Sequence, residues 1–132
     1  MTGNPAPRLK DKAVVLFAAD HHIADHGLSL TSTDVTYIQT RNFLQGGGTI
    51  NAFTRNAGAR LSVVDVGVNY DFGDLPGLVK RKVMHGANDF SRGPAMTREQ
   101  ALECLQVGID MAREEKARGL DIVAAGEMGI GN

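Results

Sequence analysis

Three short apolar runs constrain the fold more than any other feature of this sequence. The runs AVVLFAAD, LSVVDVGV and DIVAAGEM begin at Ala13, Leu61 and Asp121. Their apolar residues are largely consecutive rather than alternating, which is typical of strands buried on both faces of a parallel sheet. Segments with helical signals separate the runs. This order predicts an α/β fold, with helices flanking a parallel sheet in three layers.

Helix signals between these runs are clear at several positions. Ser32 or Thr33 is suited to cap a first helix, and Gly58 is suited to end a second helix that starts near Thr49. Residues 69–96 have weak periodicity and are predicted to form a long irregular connection. Thr97 and Gln100 have the spacing of a capping box at the start of a third helix. The apolar positions of that helix are expected to form one stripe, namely Leu102, Leu105, Ile109 and Ala112.

The chain length predicts one domain, and the small number of predicted strands indicates that its sheet is incomplete. The 132 residues suffice for one compact core but not for two comfortable ones. Residues 1–12 contain two prolines and no apolar run, so they are interpreted as a flexible lead-in to a domain at residues 13–132. A three-stranded parallel sheet has two edges and needs cover on both faces. We therefore expect this domain to be an incomplete part of a larger Rossmann-like domain.

Composition excludes several classes of function. The 14 basic and 15 acidic residues are nearly balanced and aromatic residues are few, so nucleic acid is not an expected partner. The single cysteine, Cys104, rules out an internal disulfide framework. No run approaches the roughly 20 apolar residues that span a bilayer, and the N-terminus does not resemble a signal peptide. We expect a cytoplasmic protein with no membrane partner.

Polar clusters follow all three predicted strands. They read DHHIADHG, DVGVNYD and GEMGIGN. Ligands of open parallel sheets bind beyond the carboxyl ends of the strands, so the clusters predict one composite site. In the last cluster, the carboxylate of Glu127 can accept hydrogen bonds from sugar hydroxyls or assist proton transfer. The backbone amides of Gly129, Ile130 and Gly131 can cradle a phosphate.

The histidine-rich cluster after the first run has two possible roles, as a metal site or as a loop that orders the backbone or contacts substrate. Asp20, His21 and His22 can be metal ligands of a phosphoesterase, but Asp65 is the only clear candidate for a further ligand. In the other reading Asp20 orders the loop backbone and the histidines are partly solvated or contact substrate. The second reading is favoured because the supporting ligands are missing, and no metal site is assigned.

Four motifs in the same order resemble one family. NFLQGGGTIN, AGARLSVVDVGV, SRGPAMT and GEMGIGN closely resemble nicotinate-nucleotide–dimethylbenzimidazole phosphoribosyltransferases, from about Ala13 to Asn132. The resemblance implies a parallel α/β sheet with a smaller helical part, a homodimer and no cofactor. It also implies transfer of phosphoribose from nicotinate mononucleotide to a benzimidazole. That reaction supplies the lower ligand of cobalamin.

The resemblance also assigns candidate substrate-binding residues. Gln39 matches a polar contact to the benzimidazole, and Thr31 falls near a family serine that lines the same pocket. Glu127 matches a carboxylate of the active site with an auxiliary role. Gly129, Ile130 and Gly131 match the loop near the 5′-phosphate. Asp20 and His21 match the start of a family Asp-His-Gly motif.

This chain differs from the family pattern in two ways, and each difference leads to a prediction. His22 replaces the family glycine, which puts an imidazole where backbone is expected to approach ligand. Family chains also continue well beyond the resembling region and carry their main base there. We therefore expect this chain alone to be inactive or feeble. A binding or regulatory module that keeps the pocket without the chemistry is the non-catalytic alternative.

Overall fold

A computed structural model describes residues 3–132, so Met1 and Thr2 of the predicted lead-in lie outside the described residues. The first strand, β1, begins at Lys12, one residue before the predicted boundary. No helix among residues 3–132 is long and apolar enough to cross a bilayer. The elements follow in this order: β1 (Lys12–Ala19), a short 3₁₀ helix (His22–His26), α1 (Asp34–Leu44), α2 (Thr49–Ala57), β2 (Ala59–Gly67), β3 (Leu78–Lys80), α3 (Arg98–Ala117) and β4 (Ile122–Met128).

The strands form one parallel sheet in the order β3-β2-β1-β4, which confirms the predicted α/β class. In this register Val14 of β1 lies between Leu61 of β2 and Ala124 of β4. The sequence did not predict β3, a three-residue strand inside the supposed connection of residues 69–96. A strand this short shows no measurable period, so its pairing with β2 decides its structure.

Helices cover both faces of the sheet and make the three predicted layers. On one face, Val15 and Val64 pack against Val107 and Met111 of α3. On the other face, Leu16 belongs to a second buried cluster, against which side chains of α1 and α2 pack. Neighbouring residues of β1 therefore serve opposite layers, which explains why its apolar positions are consecutive.

The predicted helix ends are largely confirmed. Thr97 Oγ1 accepts a hydrogen bond from the Gln100 amide at 3.2 Å, and Gln100 Oε1 accepts from the Thr97 amide at 2.9 Å. These reciprocal bonds form the predicted capping box. Gly58 ends α2 with a φ of 63°, a left-handed conformation that favours glycine. Before α1, the Ser32 hydroxyl accepts from the Asp34 amide at 3.2 Å.

The predicted apolar stripe of α3 is exposed in the structure and does not pack on the sheet. Leu102, Leu105 and Ile109 are 53%, 65% and 46% exposed, and Ala112 is exposed as well. The buried positions of α3 are Val107, Met111 and Glu115. Helical spacing identifies an apolar face but does not say which of two such faces meets the sheet.

Glu115 is a fully buried carboxylate that ties α3 to β2. Its Oε1 accepts hydrogen bonds from the hydroxyl of Ser62 at 2.8 Å and from Arg118 at 3.1 Å, and its Oε2 accepts from Arg60 at 3.0 Å. Burial raises the pKa of Glu115, but hydrogen bonds from Ser62 and Arg60 outweigh it, with help from the Arg118 and Arg60 charges. The pKa therefore lies below its ordinary value.

Candidate functional site

The glycine loop after β4 packs directly on the end of β1. A Cβ atom at Gly129 would overlap the Ala19 carbonyl oxygen and would lie 3.0 Å from His21 Nε2. Gly131 has a φ of 90°, and a Cβ there would lie 3.0 Å from the Ala24 Cβ in the 3₁₀ helix. These two glycines are therefore needed for close packing of the loop.

Helix α1 holds this loop from the other side. The Ile130 amide donates a hydrogen bond to Thr36 Oγ1 at 3.2 Å, and Thr36 is fully buried. One of the three amides predicted to bind a phosphate therefore already donates its hydrogen to Thr36. Sequence reasoning missed Thr36, although its position one turn before Gln39 places both residues on one side of α1.

Gln39 lines an open groove of about 370 Å³ along α1, together with other residues of this helix and Gln45, which follows it. Its Oε1 accepts a hydrogen bond from Asn42 Nδ2 at 3.1 Å, so its own amide group is oriented. Thr31 lies in the loop before α1, where its hydroxyl bonds to Ser29 at 2.9 Å. The residues that line this groove include neither Thr31 nor Glu127. The structure therefore does not join Gln39 to Thr31 or Glu127 in that groove.

Glu127 lies on β4 opposite Phe17, and its carboxylate is exposed. Its Oε2 accepts a hydrogen bond from the side-chain amide of Asn132. The carboxylate is therefore oriented by the end of the glycine loop. Sequence reasoning missed this partner, since nothing in the spacing of GEMGIGN says that the loop turns back on its own glutamate.

Asp20 joins the ends of β1 and β2. Its side chain is buried, and its Oδ2 accepts from the Asn69 amide at 2.8 Å. Its backbone bonds to Gly67 and Ala87 at 3.0 and 2.8 Å. Asp20, Asn69 and Tyr37 help to line a small polar cavity of about 80 Å³. The predicted role of Asp20 in ordering the backbone agrees with these contacts.

His22 fills a space beside Gly86 rather than standing free in the site. Its Nδ1 lies 3.1 Å from Asp25 Oδ2, and its Nε2 lies 3.4 Å from the His85 carbonyl oxygen. A Cβ at Gly86 would lie 3.1 Å from the His22 ring. The imidazole that replaces the family glycine is thus accommodated by another glycine, from the connection that follows β3.

The described residues do not favour the metal-site reading of the histidine cluster. Among residues 3–132, no group of three or more His, Cys, Asp or Glu side chains is arranged to hold a metal ion. Asp65, the further candidate ligand, forms a salt bridge of 3.0 Å with Lys82. His26 Nε2 lies 2.7 Å from Asp89. The Ser91 hydroxyl and then His26 lower the pKa of Asp89 to about 2.

Aromatic residues border the site in a way that the sequence did not reveal. The rings of Tyr37 and Tyr70 have centroids 3.9 Å apart, and Phe72 lies within 5.8 Å of both. Arg41 donates a hydrogen bond to the Tyr37 hydroxyl at 2.7 Å and lowers its pKa. Tyr37 and Tyr70 are far apart in sequence, so only the fold brings them together.

An open parallel sheet with helices on both faces and polar loops at its carboxyl edge defines the class of open α/β proteins, which bind their ligands at that edge. Comparisons with known proteins specify the class further. A family model described as a phosphoribosyltransferase, DBI_PRT, matches residues 1–132. The chain belongs to the nicotinate-nucleotide–dimethylbenzimidazole phosphoribosyltransferase family.

Individual relatives show how much of the family this chain covers. It is 52% identical to the nicotinate-nucleotide–dimethylbenzimidazole phosphoribosyltransferase of Geobacter sulfurreducens over all 132 residues, which are 38% of that protein. It is 48% identical to the protein of that name from Pelodictyon phaeoclathratiforme over 131 residues, which are 37% of it. The CobT crystal structure from Thermus thermophilus matches 96% of this chain with a TM-score of 0.92 and 45% identity, over 38% of that chain. The chain thus spans less than two fifths of the length of these relatives.

Proposed function

We propose that this chain supplies part of the active site for phosphoribosyl transfer from nicotinate mononucleotide to dimethylbenzimidazole or a related base. The products are α-ribazole 5′-phosphate, for the lower ligand of cobalamin, and nicotinate. One observation carries the proposal: the family model matches residues 1–132, and the Geobacter sulfurreducens relative of that name is 52% identical over the same length.

The proposed reaction breaks the bond between ribose C1′ and the nicotinate nitrogen. Nicotinate leaves with the bonding electron pair, and the sugar becomes oxocarbenium-like. A benzimidazole nitrogen attacks C1′ from the opposite face, so the anomeric centre is inverted. A base accepts the proton of the benzimidazole, which makes the ring nitrogen a better nucleophile. We assign this main base to the part of the family fold that lies outside these 132 residues.

We assign the benzimidazole to the side of α1 that carries Gln39. Asn42 Nδ2 donates a hydrogen bond to the side-chain carbonyl oxygen of Gln39. The side-chain NH₂ group of Gln39 can therefore donate to a ring nitrogen of the base. Thr31 contributes a hydroxyl from the loop before α1. Both residues then hold the base in the geometry that attack requires, which is the main contribution of positioning groups to catalysis.

We assign the sugar and phosphate to the loop after β4. Ile130 already donates its amide to Thr36, so the phosphate is assigned to the amides of Gly129 and Gly131. The Glu127 carboxylate, held by Asn132, accepts a hydrogen bond from a ribose hydroxyl. Fixed dipoles of this kind stabilise the charge that changes in the transition state.

At the end of β1, Asp20 and His21 form the wall of the proposed site nearest to β2. Asp20 is anchored through the Asn69 amide, and His21 packs beside Gly129. In our proposal these side chains fix the position of the loop as well as contacting substrate. We also propose that the complete family fold forms a homodimer.

Nicotinate release tests the proposal. The chain is incubated with nicotinate mononucleotide and dimethylbenzimidazole, alone and together with the C-terminal segment of the Geobacter sulfurreducens relative. The complete relative is the positive control. We expect no release by the chain alone and clear release by the pair, which Glu127→Gln lowers. Fast turnover by the chain alone contradicts our placement of the main base. If the pair binds both ligands in calorimetry without reacting, the chain is a non-catalytic module.

A further inference from the structure

Asp20 carries a buried carboxylate oxygen that has no hydrogen-bond partner. The residue is 6% exposed, and its Oδ2 accepts a hydrogen bond from the Asn69 amide at 2.8 Å. Its Oδ1 is buried as well, and no group within residues 3–132 donates a hydrogen bond to it. Buried polar side-chain atoms in folded proteins are nearly always satisfied, so this oxygen requires an explanation.

The small cavity beside Asp20 is lined only by residues with an oxygen atom in their side chains. Its volume is about 80 Å³, and it is lined by Asp20, Thr33, Asp34, Tyr37, Asn69 and Tyr70. These side chains provide two carboxylates, three hydroxyls and one amide. A cavity of roughly 10–15 Å³ already holds one water molecule, so this one has room for an ion that keeps part of its water shell.

Two carboxylates meet at this cavity without a protein cation to balance them. In the described part of the chain, no Lys, Arg or His side chain forms a salt bridge with Asp20 or Asp34. Lys82 donates to the Tyr70 carbonyl oxygen at 2.8 Å, but its salt bridge is with Asp65. Buried charges in proteins are paired or coordinate metal ions, because an isolated buried charge is costly. A neutral water molecule does not provide that balance.

We propose that Asp20 and Asp34 hold a hard divalent cation at this cavity, with Mg²⁺ as the best match. Mg²⁺ in proteins is bound by one or two carboxylates and keeps several of its waters, which suits two carboxylates with spare volume around them. An all-oxygen lining does not favour zinc or copper, which bind imidazole and thiolate groups. Asp34 is exposed, so the ion can enter from solvent on that side.

This cation site is distinct from a metal site built on the histidine cluster. Neither His21 nor His22 lines the cavity. The site has two acidic ligands rather than three, and hydroxyl oxygens, the Asn69 amide oxygen and water complete the coordination. It therefore agrees with the finding that no three His, Cys, Asp or Glu side chains within residues 3–132 are arranged to hold a metal ion.

The proposed ion joins three parts of the fold. Asp20 directly follows β1, Asn69 and Tyr70 follow β2, and Thr33 and Asp34 lie at the start of α1. An ion that binds only the folded chain stabilises it by mass action, so added Mg²⁺ should raise the melting temperature. This inference concerns a binding site and does not depend on the proposed reaction.

Terbium luminescence tests the proposal, because Tb³⁺ binds to hard oxygen sites and its emission is sensitised by nearby tyrosine. The chain has no Trp and two tyrosines, Tyr37 and Tyr70, and both line the cavity. The chain is titrated with Tb³⁺ while tyrosine is excited, and excess Mg²⁺, Ca²⁺ or K⁺ is then added. We expect saturable one-to-one emission that Mg²⁺ and Ca²⁺ remove and K⁺ leaves in place.

Three variants assign the emission to this cavity. Asp20→Asn is expected to lower Tb³⁺ affinity at least about 10-fold, since even the loss of a neighbour that orients a metal ligand has that effect. Asp34→Asn is expected to lower it likewise, and because Asp34 is exposed this variant decides the matter if Asp20→Asn does not fold. Asp74→Asn is the matched control, since Asp74 is exposed and does not line the cavity. Circular dichroism checks the folding of all three.

Several outcomes overturn the proposal. Absence of sensitised emission, or a melting temperature that Mg²⁺ does not change, would leave the cavity to water. Emission that persists in both Asp20→Asn and Asp34→Asn, or that Asp74→Asn lowers equally, would assign Tb³⁺ to other surface carboxylates. Displacement by K⁺ but not by Mg²⁺ would contradict a divalent site.

Discussion

Gly129→Ala provides the sharpest test of how the loop after β4 is built. The new Cβ would overlap the Ala19 carbonyl oxygen and crowd His21 Nε2 at 3.0 Å, so the loop must move by about 1 Å. Overpacking of this kind costs about 1–3 kcal/mol of unfolding free energy. For a chain of this length that corresponds to a fall of roughly 4–10 °C in melting temperature. A displacement of about 1 Å at a catalytic site costs about 10²-fold in rate.

Gly126→Ala is the matched control for this substitution. A Cβ at Gly126 would meet Ile50 Cδ1 at 3.5 Å and Val14 Cγ1 at 3.8 Å, which are ordinary contacts. Thermal unfolding of the chain and nicotinate release by the chain paired with the relative's segment are measured for both variants. We expect the control to remain close to the parent in both assays. If Gly129→Ala matches the parent in both, our account of the loop packing is refuted.

Three further substitutions test separate parts of the account. Glu115→Gln is expected to cost about 2 kcal/mol near neutral pH, because the charged form of Glu115 accepts bonds from Ser62 and Arg60. The pKa of Glu115 is lower in the folded chain than its ordinary value of 4.5, so the stabilisation is present above that pH and is lost as the pH falls through the folded pKa. Chemical denaturation should therefore show that Glu115→Gln costs less unfolding free energy in acid than at neutral pH. A Cβ atom at Gly108 of α3 would meet no atom within 4 Å. Gly108→Ala should therefore stabilise the isolated chain by about 0.5–1 kcal/mol, because alanine loses less backbone entropy than glycine in a helix. A lower melting temperature would contradict this. Gln39→Ala in the paired enzyme should raise KM for dimethylbenzimidazole more than KM for nicotinate mononucleotide, and equal effects would remove Gln39 from the base pocket.

Local signals predicted most of the elements but not their partners. The consecutive apolar residues of β1 and β2 predicted a parallel sheet, and the Thr97–Gln100 spacing predicted the start of α3. The sequence did not predict β3, because a three-residue strand depends on its pairing with β2. It predicted one apolar stripe of α3 but not the buried positions Val107 and Met111, because only packing on the sheet determines which side of the helix is covered.

For the site, the sequence identified the strand ends but not the contacts between them. It predicted that Asp20 orders the backbone near the end of β1, and the bond to the Asn69 amide agrees. It could not reveal that Thr36 takes the Ile130 amide or that Asn132 holds Glu127. These contacts join segments that only tertiary packing brings together, so the spacing of residues along the chain does not predict them.

A structure of the chain paired with the relative's segment, with nicotinate mononucleotide and dimethylbenzimidazole bound, tests the central claim most directly. We predict that the Gln39 side-chain amide donates to a ring nitrogen of the base. We also predict that the Gly129 and Gly131 amides contact the phosphate of the same ligand pair. A base bound away from Gln39, or both ligands bound away from the loop after β4, would contradict the account.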